Sequence, residues 1–259
     1  MLASLNGQIQ PAAQAVIPIT DDGLLRGDGA FEVIRLYGGV PFALDEHLDR
    51  MQRSAGNLRL PLDRAAFEAD VAALLAADPP GDAQLRLIAT RGGLRLAIVE
   101  PLASPPPTLA LRTITYSPPR LTDDIKSLSY AANMLATRLA VERGGDEGLL
   151  VTPHGRVLEG PRQTFVLSLD GATLVTPPLE DRVLDSITRR HLVALGLIVE
   201  QVVTADDLAG AHEAFLASTT REVHPVHEID GRALPAAPGP LTIAAATRLS
   251  AHIAAVVAG

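Results

Sequence analysis

One proline-rich segment, residues 101–107, limits how this chain can fold more than any other feature of its sequence. Four of the seven residues in it are proline, and proline interrupts helices and central strands because its ring fixes φ and removes the backbone N–H. Regular hydrophobic spacing resumes on both sides of the segment. We therefore predict two domains, residues 1–100 and 108–259, joined by a linker at 101–107, and each is long enough to bury its own core.

The N-terminal region has the spacing of strands and two amphipathic helices. Residues 30–37 are rich in β-branched and aromatic side chains, and Gly38 and Gly39 supply a hairpin turn before a returning strand. Helical spacing then begins after Asp45, a candidate N-cap, and a second helix follows at 64–77. The remaining predicted strands are 40–43, 85–91 and 94–99.

The C-terminal region mixes strands and helices in unequal proportion. The predicted strands are 109–116, 148–151 and 165–168, and the predicted helices are 130–143 and 188–195. No repeat of fixed period is present in the sequence. Such a mixture is typical of the α+β class, here with two domains.

Composition excludes several kinds of chemistry. The chain has no cysteine, so disulfides, thiolate metal ligands, a cysteine nucleophile and iron–sulfur clusters are excluded. A formal charge of −8 without a basic patch argues against a nucleic-acid surface. His224 and His227 are separated by Pro225, which disfavours a helical metal pair, so no metal site is predicted. The sequence shows neither a membrane-spanning stretch of about 20 apolar residues nor a signal peptide, so we expect a cytoplasmic protein.

Four short segments carry the side chains that could perform chemistry. Lys126 lies where an extended segment gives way to a helix, and Glu159 ends a hairpin strand. A turn after Val183 opens a helix whose first N–H groups could bind a phosphate, and Thr219 and Thr220 follow an apolar strand. Each of these features is common alone, and a lysine acts as a nucleophile only when burial lowers its pKa.

The order and spacing of these segments resemble the class IV aminotransferases, the family of branched-chain aminotransferases, D-amino-acid transaminases and aminodeoxychorismate lyases. The resemblance covers nearly the whole chain. It rests on residues 22–32, 46–50, 125–128, 158–160, 184–189 and 218–226. One departure is that Pro161, Arg162, Gln163 and Thr164 stand where the family usually has small residues and an asparagine.

The resemblance implies a pyridoxal 5'-phosphate (PLP) enzyme of PLP fold type IV. Its small N-terminal α/β domain would precede a larger C-terminal pseudo-barrel domain that binds PLP. By the same resemblance, Lys126 forms the Schiff base with the cofactor and moves the proton during the reaction. Glu159 hydrogen-bonds the pyridine nitrogen, which keeps the ring protonated as an electron sink, and Leu184 packs on the ring.

The family likeness also assigns the phosphate site. It implies that Arg50 holds the phosphate together with the backbone at Ile187 and Thr188 and the hydroxyl of Thr219, with Thr220 beside it.

Each assignment has a plainer alternative. Arg50 could form a surface ion pair with Glu46 four residues earlier. Glu159 could be a solvated hairpin end, and Thr188 an ordinary N-cap. Tyr130 fits equally a core position and a position near the cofactor.

The choice of substrate depends on groups that grip a carboxylate. Arg26 and Arg91 are the candidate carboxylate-binding residues, and each could equally be a solvated surface arginine. Phe31 stands where familiar bacterial D-amino-acid transaminases have a tyrosine. We predict transfer of an amino group between an amino acid and a 2-oxo acid, with D-amino acids slightly favoured over L-branched-chain ones.

Two other functions remain open on the sequence alone. Residues 158–162 favour aminodeoxychorismate lyase, which releases pyruvate and 4-aminobenzoate, whereas residues 219–226 look more like a transaminase. A catalytically silent PLP-binding or assembly protein is the third reading, and the presence of Lys126 and Glu159 argues against it. The family also implies a homodimer in which each active site is completed by the neighbouring chain, with Arg26 serving the partner's site.

Overall fold

The computed structural model describes residues 1–117 and 120–259 and divides them into two compact units. One unit comprises residues 1–104, 125–130 and 255–259, and the other comprises 105–124 and 131–254. The first boundary falls within the predicted linker. The sequence prediction had placed 125–130 and 255–259 in the C-terminal domain, whereas both segments pack with the N-terminal unit.

The N-terminal unit is built on a six-stranded, wholly antiparallel sheet with the strand order β2-β1-β6-β5-β3-β4. Its strands are β1 (Leu2–Leu5), β2 (Gln8–Pro11), β3 (Gly29–Tyr37), β4 (Val40–Pro41), β5 (Ala83–Thr90) and β6 (Arg95–Glu100). Its helices are α1 (Asp22–Arg26), α2 (Leu44–Asn57) and α3 (Arg64–Ala77), with a 3-10 turn at Ala12–Gln14. Leu48, Met51 and Phe67 on these helices are buried in one core with strand residues such as Ile34 and Leu85.

The start of α2 differs from the predicted one. The helix begins at Leu44, and its N-cap is Ala43, whose backbone is left-handed (φ 53°) and whose side chain makes no capping bond. Asp45 was therefore wrongly predicted as the cap. Its carboxylate instead accepts a hydrogen bond from the Arg64 guanidinium at 2.9 Å, so it joins α2 to the first turn of α3.

The C-terminal unit contains an eight-stranded mixed sheet. Its order is β11-β10-β9-β12-β13-β7-β8, and β14 pairs with β13. The strands are β7 (Leu109–Thr115), β8 (Glu147–Val151), β9 (Thr164–Ser168), β10 (Val175–Thr176), β11 (Val199–Glu200), β12 (Glu213–Ser218), β13 (Glu222–Ile229) and β14 (Arg232–Ala233). The helices of this half of the chain are α4 (Ala131–Glu142), α5 (Ile187–Ala194) and α6 (Pro240–Ala258), and 3-10 turns lie at Arg120–Thr122, Leu179–Asp181 and Asp207–Gly210.

The core of this sheet is apolar and closed. Phe165, Leu216 and Val226 are fully buried on neighbouring strands. Each large apolar side chain removed from water in this way stabilises the fold by roughly 1.5–3 kcal/mol. The strands β9 and β12 therefore form a rigid base for the loops at their ends.

Helix α6 is long and apolar enough to cross a membrane by length and composition alone, a test that the core helices of soluble proteins also pass. The buried residues on it, Thr242, Ala245, Leu249 and Ile253, recur at three- and four-residue intervals. This spacing places the four side chains on one face of the helix, which packs against the protein. Thr242 donates a hydrogen bond to the buried Glu213 at 2.7 Å, which ties the helix to the C-terminal sheet.

Candidate active site

Lys126 is held by main-chain bonds to the first residues of β3. The N–H of Phe31 donates to the Lys126 carbonyl at 3.0 Å, and the N–H of Leu128 donates to the Gly29 carbonyl at 2.9 Å. The segment around Lys126 thus extends the N-terminal sheet by a short strand-like pairing. This pairing fixes the lysine backbone against the start of β3.

The side chain of Lys126 lies against two aromatic rings. Its Nζ is 4.5 Å from the centroid of the buried Phe31 ring and 5.9 Å from that of Tyr130. The two rings meet edge to face at 5.2 Å. Tyr130 therefore lies beside the lysine rather than in a remote part of the core. The backbone N–H of Lys126 also donates to the Ser54 hydroxyl of α2 at 3.1 Å.

Arg50 belongs to a fully enclosed cluster of three side chains, which we call the Glu32 cluster: Glu32, His47 and Arg50. The two carboxylate oxygens of Glu32 accept from Nε and Nη2 of Arg50, both at 2.7 Å. Nδ1 of His47 lies 2.8 Å from the same carboxylate. Glu32 and His47 are fully buried and Arg50 is 4% exposed. Arg50 is therefore not the helix-surface residue that the alternative interpretation required.

The charges within the Glu32 cluster balance. Burial alone raises the pKa of the Glu32 carboxyl, but the charge and hydrogen bonds of Arg50 and His47 outweigh burial and hold that pKa well below its usual range. Burial lowers the pKa of His47 below its usual value, the charges of Arg50 and Lys126 lower it further, and Glu32 opposes these effects. The cluster thus contains one carboxylate, one guanidinium and a neutral imidazole whose Nδ1–H faces Glu32. Nε2 of His47 is buried without a hydrogen-bond partner among the described residues.

Glu159 and Leu184 come together in the C-terminal unit. A carboxylate oxygen of Glu159 accepts a hydrogen bond from the backbone N–H of Leu184 at 3.1 Å. The carbonyl of Glu159 accepts from the N–H of Leu150 on β8 at 2.9 Å, which fixes its backbone. Burial raises the pKa of the Tyr116 phenol, and the nearby Glu159 carboxylate raises it further. Glu159 is half-buried and bonded to the backbone, not a solvated hairpin end.

The start of α5 and the turn after β12 carry the remaining predicted cofactor ligands. Ser186 is the N-cap of α5, and its hydroxyl accepts from the N–H of Arg189. The alternative role of Thr188 as the N-cap was therefore wrong, and its buried side chain lies in the first turn together with Ile187. Helix α5 packs against β12. Thr219 and Thr220, in the turn after that strand, are half-buried.

The two arginines predicted to bind substrate differ in their surroundings. Nε of Arg91 donates to the Asp28 carboxylate at 2.6 Å, and its terminal nitrogens donate to the carbonyls of Arg59 and Leu58. Arg91 thereby joins the loop after β5 to the end of α2. Arg26 is 68% exposed and pairs with Asp22 at the other end of α1.

Sequence reasoning assigned no role to several residues that the structure makes prominent. Glu32 and His47 lie within the matched motifs, and only the fold shows that the Glu32 carboxylate bonds both His47 and Arg50. A simpler signal was also available, because Lys126 is the only lysine among the 259 residues and every other Lys or Arg position is arginine. Arginine stays charged in proteins, so it cannot supply the free amine that a Schiff base requires.

Comparison with known proteins identifies the family. The model of the amino-transferase class IV family matches residues 29–229. A putative branched-chain-amino-acid aminotransferase of Methanocaldococcus jannaschii is 36% identical, with 89% of this chain and 88% of the relative covered. A D-alanine aminotransferase of Bacillus licheniformis is 33% identical over 93% of both chains.

The fold leads to the same family. The structure resembles that of a hypothetical aminotransferase from Mycobacterium tuberculosis in its PLP-bound form, with a TM-score of 0.88 and 26% identity over 98% of this chain and 99% of the other. The predicted two-domain α+β fold is thereby confirmed. The chain belongs to the class IV aminotransferases and is a PLP-dependent enzyme.

Proposed function

We propose that this aminotransferase transfers an amino group between an amino acid and a 2-oxo acid, with D-amino acids slightly preferred over L-branched-chain ones. The observation that carries the proposal is the setting of Lys126. It is the only lysine of the sequence, its backbone is fixed on both sides, and its amine lies against two aromatic faces.

The side chains present match the chemical needs of PLP. When bound, PLP withdraws electrons from the substrate carbon that loses its proton. Lys126 supplies the amine for covalent attachment and then carries the proton away from that carbon and back. One carboxylate oxygen of Glu159 is anchored by the Leu184 N–H. Glu159 would keep the ring nitrogen protonated, and Leu184 would pack on the ring.

The family likeness assigns three kinds of candidate donor to the PLP phosphate. Arg50 supplies a guanidinium whose orientation Glu32 fixes through two hydrogen bonds, and a pre-oriented guanidinium suits phosphate oxygens. Ile187 and Thr188 supply the N–H groups of the first turn of α5, where the helix dipole favours an anion. Thr219 and Thr220 supply hydroxyls at the end of β12.

The preference for the D- or the L-enantiomer of a substrate depends on the orientation of its α-carboxylate in the site. Phe31 is buried and stacks near the lysine, so it offers no hydroxyl for a carboxylate, and Arg26 and Arg91 are the cationic candidates. Arg91 already binds Asp28 and two carbonyls, so it acts by holding its loop and presenting the remaining N–H groups. One relative is named for D-alanine and the other for branched-chain substrates, which supports testing both hands.

Reductive trapping tests the role of Lys126 directly. The holoenzyme is treated with borohydride and digested, and the labelled peptide is identified by mass spectrometry. Because Lys126 is the only lysine, we expect one label per chain in the peptide that contains it and none in Lys126→Ala. An exposed arginine on α4, Arg138, provides the control variant Arg138→Gln, which keeps the label. A labelled Lys126→Ala protein with normal turnover overturns the proposal.

The substrate is tested by half-reactions. The holoenzyme is mixed separately with D-alanine, L-leucine and aminodeoxychorismate, and the cofactor absorbance band is followed. Loss of the band with D-alanine supports the proposed preference. Loss with L-leucine alone assigns the enzyme to the branched-chain group, and release of 4-aminobenzoate without response to either amino acid makes it the lyase.

We also propose a homodimer in which Arg26 serves the partner's site. Large apolar side chains are exposed around α1, namely Val16, Ile17, Ile19, Leu24 and Leu25. Exposed large apolar side chains that lie close together in the sequence favour an interface with another chain. Sedimentation of the wild type and of Leu24→Asp is the test, and a fully active monomeric wild type contradicts the proposal.

A further inference from the structure

A second charged cluster, which we call the Glu147 cluster, lies in the C-terminal unit and consists of Glu147, Arg162 and Arg221. Glu147 is 1% exposed, and one of its oxygens accepts from Arg162 Nη2 at 2.7 Å. Its other oxygen accepts from the Thr137 hydroxyl at 2.5 Å and from the N–H of Gly148 at 3.1 Å. The single carboxylate is therefore already used by Arg162 and by neutral donors.

Arg221 is the unbalanced member of the Glu147 cluster. Burial lowers the pKa of its guanidinium, the charge of Arg162 lowers it further, and Glu147 opposes both. The guanidinium makes no hydrogen bond to any of the residues that the structure describes. A half-buried guanidinium without a bonded partner leaves an uncompensated charge, which an anion can neutralise.

The topology places this excess charge beside residues proposed to hold the cofactor. Strands β9 and β12 are antiparallel, and Thr164 pairs with Ala217. The loop before β9, which carries Arg162, therefore lies at the same end of the sheet as the turn after β12, which carries Arg221. That turn also contains Thr219 and Thr220, and the loop begins directly after Glu159.

We infer that Arg221 binds a carboxylate of the substrate, and that the charge of Arg162, which Glu147 only partly offsets, strengthens this attraction. The inference rests on the proposed transaminase function, and it names a residue that the family likeness did not assign. Glu147 already pairs with Arg162, so Arg221 keeps a positive charge that an anion from outside the cluster can neutralise. A planar guanidinium binds a carboxylate through two parallel hydrogen bonds.

The carboxylate can come from two parts of a substrate. Every amino acid and 2-oxo acid has an α-carboxylate, whereas only dicarboxylic substrates have a second one on the side chain. Pyruvate has only the α-carboxylate, whereas 2-oxoglutarate also has a side-chain carboxylate. Both acids are achiral, so the comparison does not depend on the chirality of the amino donor.

The test compares the wild type with Arg221→Gln, Arg221→Lys and the control Arg138→Gln. Steady-state kinetics give kcat and KM for pyruvate and 2-oxoglutarate, and calorimetry gives the Kd of each acid for the PLP-loaded protein. A lost charge-assisted bond should raise Kd and KM for the recognised acid by about 10- to 100-fold in Arg221→Gln. Arg221→Lys should recover part of the loss, and Arg138→Gln should match the wild type.

The pattern of loss assigns the carboxylate. Loss for 2-oxoglutarate alone shows that Arg221 binds the side-chain carboxylate, and equal loss for both acids shows that it binds the α-carboxylate. Unchanged Kd values for both acids overturn the inference. So does a loss confined to the affinity of the apoprotein for PLP, because Arg221 would then bind the phosphate. Absence of turnover in the wild type refutes the proposed function instead, and calorimetry still tests Arg221 in that case.

Discussion

The Glu32 cluster and the Glu147 cluster use the same kinds of side chain with opposite results. In the Glu32 cluster, one carboxylate faces one guanidinium and a neutral imidazole, and all three are enclosed. In the Glu147 cluster, one carboxylate forms an ion pair with Arg162, which is 37% exposed, and only partly offsets the charge of Arg221. The first cluster is electrically complete, whereas the second has a positive charge left over.

This difference indicates what each cluster can do. A buried ion pair whose charges balance holds its members in one geometry, because separating them would leave a buried charge unpaired. The Glu32 cluster is therefore suited to hold Arg50 rigidly. An incomplete cluster near solvent can gain a partner, which makes the Glu147 cluster suited to a ligand that arrives and leaves. Four measurements, taken in order of expected size, test this contrast.

The largest effect is expected from Glu32→Gln. The substitution keeps the side-chain volume but removes the negative charge that Glu32 sets against the buried Arg50 guanidinium, so the free energy of unfolding should fall by about 3–5 kcal/mol. The affinity of the apoprotein for PLP should fall as well, because Arg50 loses its orientation. Urea denaturation and PLP titration measure the two effects.

A matched control for Glu32→Gln is available in the same sheet. Glu100 on β6 pairs with Arg86 on β5 at 2.9 Å, and both side chains are about 30% exposed. Because exposed ion pairs contribute little, Glu100→Gln should change stability by less than about 1 kcal/mol. Equal losses in the two variants would show that the enclosure of the Glu32 cluster has no special effect.

Glu147→Gln should have a smaller effect on stability and an opposite effect on ligand binding. Arg162 can turn toward water, so the loss in free energy of unfolding should be about 1.5–3 kcal/mol, mainly from the hydrogen bonds of the carboxylate. Removing the negative charge leaves Arg162 and Arg221 without compensation, so the Kd for 2-oxoglutarate should decrease. A weaker complex in calorimetry would contradict the picture of a cluster that lacks negative charge.

The pH dependence of stability tests the Glu32 cluster, because its two titratable groups have lowered pKa values in the folded protein. His47 has a folded-state pKa below the usual value of 6.5, so the unfolded chain binds more protons and stability falls as the pH drops below about 6.5. Glu32 has a folded-state pKa far below its usual 4.5, so a further loss begins below about pH 4.5. Both contributions are fully present at neutral pH.

His47→Asn isolates the first part of this profile. An asparagine amide can still donate to Glu32 but does not titrate, so the loss of stability between pH 6.5 and 5 should shrink while the loss below pH 4.5 remains. Chemical denaturation at several pH values gives both curves. Superimposable curves for the variant and the wild type would show that another group is responsible.

Local pattern predicted several of the longer elements, because hydrophobic spacing is a property of neighbouring residues, but β1, β2, α1 and α6 were not predicted. The helix predicted at 64–77 has those bounds in the structure, and the strand predicted at 30–37 gains only Gly29. The start of α2 was missed because Ala43 has a left-handed backbone, a conformation for which alanine gives no sequence signal.

The charged clusters could not be predicted in this way. Glu32 and Arg50 are 18 residues apart on different elements, and only the packing of α2 on β3 brings them together. The pairing of Lys126 with β3 likewise depends on the path of the chain after the linker. The family likeness named Lys126, Arg50 and Glu159 as site residues, which remains a prediction, but it gave no reason to single out Arg221.

The smallest of the four effects concerns the hydroxyl that completes the Glu147 cluster. Thr137 on α4 donates to Glu147 at 2.5 Å, and Thr137→Val removes that bond while keeping the shape, so the free energy of unfolding should fall by about 1 kcal/mol. Thr137→Ser keeps the hydroxyl and should lose less, whereas equal losses would assign the effect to the lost methyl group. Without the Thr137 hydroxyl, Glu147 would turn more toward Arg162 and offset more of the positive charge of the cluster. We therefore expect a raised KM for 2-oxoglutarate in Thr137→Val but not in Thr137→Ser. Such a result would show that the orientation of the buried Glu147 carboxylate affects the affinity for the substrate carboxylate through the two arginines.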